Sequence, residues 1–181
     1  EYFDKMLDFF FFFSGEEHNM TVDIWQFIVL HPRSKSYSLR PVTCREGAFK
    51  PSIPVCRGNR TMIAVAANGN VFPCMQMSGY YEARNDVLGN VKEVGLRPIL
   101  QVGKYLAEVC TTVGELASAN AECNACHYFK YCAGGCRAIA LTLTSDKMGI
   151  DLSKCLFYKK GYYQRSVDAM GDWHNNTPIK L

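Results

Sequence analysis

The sequence predicts an α+β chain: a small cysteine-rich domain with a β-hairpin and helices around metal sites, preceded by a helix and a strand. Three observations predict it. Apolar periodicity switches between helical and strand-like over short stretches, Asn68-Gly69 joins two alternating runs as a hairpin turn, and seven cysteines recur at metal-ligand spacings. These are Cys56, then Cys74 five residues after Gly69, then Cys123, Cys126, Cys132 and Cys136 as C-x2-C-x5-C-x3-C, and Cys155. Thiolates are soft ligands that suit zinc or iron-sulfur clusters, and closely spaced cysteines on turns bring them together at little entropic cost. The number of thiolates suffices for two sites.

At 181 residues the chain has room for one ordinary domain, or a small domain plus a fragment of another. A hydrophobic content of 48% permits a core, and with a formal charge of only +3 it argues against disorder. No stretch approaches the apolar length that crosses a bilayer, so a soluble globular chain without a membrane partner is expected. The scattered lysines and arginines do not form the clustered face that nucleic acid requires. An odd count of nine cysteines and the lack of a signal peptide at the start disfavour a disulfide framework, and a reducing cytoplasm is expected.

Along the chain, Tyr2, Phe3, Met6, Leu7, Phe10 and Phe13 recur at helical spacing, and Phe9, Phe11 and Phe12 widen that apolar face until it calls for partners on more than one side. After the polar break Ser14 to Asn19, the run Thr21 to Leu30 reads as one buried strand. From His31 to Cys56, Pro32, Pro41, Pro51 and Pro54 interrupt any period, and a long surface connector containing Cys44 is predicted. Thr61 to Ala67 and Asn70 to Cys74 form the hairpin, so Cys56 and Cys74 flank it. Leu88 to Val91 adds a short extended piece. A helix opening near Pro98 places Leu96, Ile99, Leu106, Val109, Cys110, Val113 and Leu116 on one face. The stretch Cys123 to Cys136 is turn-like, a helix spans Arg137 to Thr144, and another runs from about Cys155 to Met170.

The ordered set Cys56, Gly69-x4-Cys74, Cys123-x2-Cys126-x5-Cys132-x3-Cys136 and Cys155 resembles the seven-cysteine signature of the SPASM domain, the auxiliary-cluster module of many radical S-adenosylmethionine enzymes. The resemblance covers residues 56 to about 160. Val71-Phe72-Pro73-Cys74, Leu88-Gly89-Asn90-Val91, Ala133-Gly134-Gly135-Cys136 and Asp151-x3-Cys155 fall where the family has related pieces. It implies two 4Fe-4S clusters with interleaved ligands. Cys56, Cys74 and Cys136 would hold the first, with Cys44 as the candidate fourth ligand, and Cys123, Cys126, Cys132 and Cys155 would hold the second. Two such clusters, of about −2 each, turn the formal +3 into about −1. His127, next to Cys126, is expected to be no ligand.

The resemblance also implies a division into a barrel remnant plus connector at 1–45, a cluster domain at 46–170 and a tail at 171–181, with the helix and strand at the start similar to the end of a partial (β/α) barrel. The C-x3-C-x2-C motif that binds the radical-generating cluster is absent from these residues, so S-adenosylmethionine cleavage would belong to a missing N-terminal barrel in a full-length enzyme. The implied partners are that barrel, a peptide or protein substrate, and a redox donor such as ferredoxin or flavodoxin. The anaerobic sulfatase maturases carry Asp directly after the cysteine of Gly-x4-Cys. Here that place is Met75, which disfavours sulfatase maturation and favours peptide modification such as thioether formation. The competing reading is a structural zinc module that binds a protein partner, since C-x2-C with later cysteines also suits tetrahedral zinc.

Overall fold

The computed structural model describes residues 1–14, 18–24, 27–39, 50–56, 63–101 and 111–175. In chain order its elements are α1 (Tyr2–Ser14), β1 (Val22–Ile24), β2 (Ile28–His31), β3 (Ser36–Leu39), β4 (Ala64–Val65), β5 (Asn70–Phe72), α2 (Met75–Ala83), β6 (Gly89–Asn90), α3 (Val91–Val94), α4 (Leu96–Gln101), α5 (Val113–Ala119), α6 (Ala121–Asn124), α7 (Phe129–Cys132), α8 (Arg137–Thr144), α9 (Leu152–Lys159), α10 (Tyr162–Met170) and β7 (His174–Asn175). Helices and small, largely antiparallel sheets are mixed, as an α+β chain requires. Two compact units result: Glu1–Phe49, His127–Gly135 and Leu152–Leu181 form the first, and Lys50–Cys126 and Cys136–Asp151 the second. Among the described residues no helix is long and apolar enough to cross a membrane.

In the first unit, Phe3, Met6, Leu7, Phe10 and Phe13 of α1 are buried, the three- and four-residue spacing placing them on one face. Tyr2, Phe9, Phe11 and Phe12 remain exposed. The single strand predicted over Thr21 to Leu30 is corrected to two, β1 and β2, paired antiparallel with Val22 opposite Leu30. The Phe27 N–H closes the turn by donating to the Ile24 carbonyl at 2.9 Å, so the reversal uses neither Gly nor Pro and leaves no compositional mark. The first part of the predicted connector is corrected as well. A 3-10 turn at Pro32–Ser34 ends on Lys35 in the left-handed region, φ 43°, and hands the chain to β3, antiparallel to β2. β7 then adds in parallel to β3.

The helix predicted from Cys155 to Met170 is two helices, because Gly161 at φ 75° takes a conformation no helix interior allows. Phe157 of α9 is fully buried, with ring centroids 5.4 Å from Phe3, 4.9 Å from Phe27, 5.3 Å from Tyr158 and 6.3 Å from Tyr163. Burial in this aromatic core pushes the Tyr163 phenol up to about 12. Phe157→Ala is therefore expected to destabilise this unit by about 3–5 kcal/mol, the usual loss for truncating a buried aromatic. Denaturant unfolding checks it, and a loss under about 1 kcal/mol would show that the core closes over the gap.

In the second unit β5 lies between β4 and β6, antiparallel to both. Its consecutive residues face opposite ways. Val71 packs with Leu88 and Ile99, while Phe72 packs with Met77, Tyr81, Ala138 and Leu141, so one strand anchors two apolar clusters. Asn68-Gly69 does lie in the β4–β5 turn, as a three-residue loop: the Ala66 N–H meets the Asn70 carbonyl at 2.9 Å and Gly69 takes φ 96°. Gly89-Asn90 is the short extended piece predicted, and α8 has the predicted bounds. α2 had no counterpart in the sequence reading; its apolar residues are too few and too mixed with polar ones to show a period.

The helix predicted from Pro98 to Leu116 is not continuous. Thr112 is extended and starts α5 with a reciprocal cap, in which the Glu115 N–H donates to the Thr112 hydroxyl at 3.2 Å and the Thr112 N–H to Glu115 Oε2 at 2.7 Å. The face traced through Leu106, Val109 and Cys110 lies outside the described residues, as does Cys44. Thr112 holds the Glu115 carboxyl below its ordinary 4.5 by backbone and then hydroxyl donation. A lowered folded value contributes stability above 4.5 that is lost as pH falls through it. Acidification below that range is thus expected to fray α5 first. Hydrogen exchange along Val113–Ala119 measures this, and Glu115→Gln should remove the pH dependence.

Candidate metal centre

Five of the cysteines read as ligands belong to the second unit, and three of them, Cys56, Cys74 and Cys136, lie near one another there. Cys74 is the residue before α2, in extended conformation at φ −159° and ψ 168°; its side chain makes no capping hydrogen bond, and the Met77 N–H donates to its carbonyl at 3.1 Å. Cys136 stands in the same place before α8, again without a side-chain cap, and its carbonyl accepts the Ala140 N–H at 3.1 Å. Each cysteine thus stands at a helix N-terminus, where free N–H groups favour negative charge. Packing of α2 on α8 through Met77, Tyr81, Ala138 and Leu141 holds the two helices together. Cys56 ends a segment fixed to the start of α5: the Val55 N–H donates to the Thr111 carbonyl at 2.9 Å, and the Val113 N–H to the Ile53 carbonyl at 2.8 Å.

The three sulfurs feel one another. Burial is the largest influence raising the Cys74 thiol, the Gln76 and Met77 backbone N–H groups pull it back, and the charges of Cys136 and Cys56 raise it further. Cys136 is raised in the same way, by burial first and then by Asp151 and Cys56. Burial thus favours the protonated Cys74 and Cys136 thiols, and a metal binding there must displace their protons. Among the described residues no three His, Cys, Asp or Glu side chains are grouped tightly enough for one metal ion. Cys74 and Cys136, at the starts of two packed helices, present soft donors that suit zinc or an iron-sulfur cluster.

Gly69, at the head of Gly-x4-Cys, has a physical reason. Besides its positive φ, a Cβ there would stand 2.5 Å from Asn90 Oδ1, the atom that accepts the Lys92 N–H at 2.9 Å and starts α3. The residues of the C-x2-C-x5-C-x3-C run are divided between the units. Cys123 and Cys126 belong to the second, with the Cys123 N–H on Asn120 Oδ1 at 3.0 Å. Cys132 and Cys155 belong to the first, where the Gly134 N–H donates to Cys132 Sγ at 3.3 Å. All seven of these cysteines are free thiols. His127 is exposed and its ring lies 5.1 Å from Tyr128.

Compared with known families, residues 56–127 match the SPASM iron-sulfur cluster-binding domain. No curated protein and no solved structure matches the chain. The SPASM match takes in Cys56, Gly69-x4-Cys74, Cys123 and Cys126, whereas Cys132, Cys136 and Cys155 follow it in the chain. Two features of the site escaped the sequence reading. Thr112-x-x-Glu115 is a capping-box pattern legible in the sequence, and it would have ended the long helix. Nothing local to Asp151 announces that its carboxylate accepts the Cys136 N–H at 2.7 Å.

Proposed function

We propose that the chain is the auxiliary-cluster domain of a radical S-adenosylmethionine enzyme that modifies a peptide or protein, holding two 4Fe-4S clusters. The observation that carries this reading is the convergence of Cys56, Cys74 and Cys136, two of them at helix N-termini, in a chain with an iron-sulfur family match. Cys56, Cys74 and Cys136 hold the first cluster, with Cys44 as the fourth ligand. Cys123, Cys126, Cys132 and Cys155 hold the second, on the strength of their spacing. When bound, the clusters supply electron transfer or, at an open iron, substrate positioning. The chain's own part is to present thiolates and N–H donors and to bury them from water. The radical-generating barrel, ferredoxin or flavodoxin as electron donor, a cytoplasmic setting and thioether-type peptide modification belong to the same proposal.

Anaerobic reconstitution tests it. The chain is expected to turn brown and to bind about eight iron and eight sulfide, as two cubane clusters require. A colourless chain saturated by two zinc ions, without charge-transfer absorption, would sink the iron-sulfur assignment. A C-x3-C-x2-C motif in the upstream coding sequence would establish the radical enzyme.

A further inference from the structure

The start of α8 is capped in an unusual way. In a capping box the N–H of the cap residue is taken by a Glu or Gln side chain three residues into the helix. Here that position is Ile139, which has no acceptor, and the Cys136 N–H instead donates at 2.7 Å to Oδ2 of Asp151, fifteen residues along the chain. Asp151 is 1% exposed. The loop that delivers it is pinned throughout: Arg137 donates to the Lys147 and Gly149 carbonyls at 2.8 Å each, Asn120 Nδ2 to the Met148 carbonyl at 2.9 Å, and the Met148 N–H to Asp146 Oδ1 at 2.8 Å.

We propose that Asp151 is the positioning residue of the first site, fixing the Cys136 backbone and sulfur at the start of α8 and lowering the reduction potential of the cluster held there. The inference rests on the cluster reading above. A fixed negative charge beside an iron-sulfur centre opposes the added electron. Charge and hydrogen bond are separable. Asp151→Asn keeps an acceptor oxygen and removes the charge, whereas Asp151→Glu keeps the charge.

Reconstituted wild type and both variants are compared by redox titration with electron paramagnetic resonance. Asp151→Asn is expected to keep its iron while one of the two centres shifts towards the reduced form by about tenfold, ~59 mV for a one-electron couple. Asp151→Glu is expected to stay within about twofold of wild type. Full iron with unchanged potentials in Asp151→Asn overturns the proposal. If Asp151→Asn takes up no iron while Asp151→Glu loads, the charge is needed to hold the site and the proposal stands. If neither variant loads, amide exchange in the metal-free wild-type chain decides. Slow exchange at Cys136 supports the assignment, and exchange at the rate of an exposed amide overturns it. A wild-type chain that binds no iron would sink the cluster reading instead, and the exchange measurement, made without metal, tells the two failures apart.

Discussion

Cys74→Ala is expected to lower the iron bound by the anaerobically reconstituted chain from about eight atoms to about four. Cys74 is buried at the start of α2. Of the three signature thiols only Cys56 and Cys136 then remain beside the proposed Cys44, and the buried position at the start of α2 has no thiolate to offer. Cys44→Ala should act differently, leaving a labile three-ligand iron and a 3Fe-4S signal on oxidation. Cys110→Ala should keep all the iron. Iron analysis with electron paramagnetic resonance separates these outcomes. A Cys74→Ala chain with the full wild-type iron would remove Cys74 from the ligand set, and loss of iron in Cys110→Ala would count against its reading as an apolar helix residue.

Removing the metal is the second large effect. Cys56, Cys74 and Cys136 come from three separate places in the second unit, so a cluster there ties the Pro51–Cys56 segment, α2 and α8 together. Structural metal sites of small domains contribute about 10–16 kcal/mol of apparent binding free energy, and chelation should accordingly cost this unit a large part of its stability. Thermal melts of loaded and stripped chain measure it, and equal melting temperatures would refute the clamp. Uptake should also weaken as pH falls, because the Cys74 and Cys136 thiols lie above their ordinary 9.0 and must lose protons to bind. In the stripped chain the sign reverses. A raised folded thiol contributes stability below 9.0 that is lost as pH rises through its folded value.

Much of the site was legible because its signals are local. Gly-x4-Cys could be read as a turn followed by a ligand, and the structure supplies the cause in the φ of Gly69 and the nearness of Asn90. Arg137 to Thr144 was legible from a run of helix-compatible residues between a glycine pair and a polar loop. Elements without such punctuation were not. The turn between β1 and β2 rests on one hydrogen bond from Phe27, and the break before α5 rests on a threonine whose cap competes with continuing the helix.

By itself the sequence determined the α+β class, the hairpin, the thiols and the family to which their spacing points, since each depends on residues a few positions apart. Only the tertiary structure decided that Cys74 and Cys136 both stand at helix N-termini, that α2 packs on α8, and that Asp151 completes the cap of Cys136. It also decided which phenylalanines of α1 are covered and which are exposed. The physical reason is the same in each case. A backbone N–H or an apolar face can be satisfied by many partners along a chain, and which one it meets is settled by packing between residues far apart in sequence, where no local pattern records the choice.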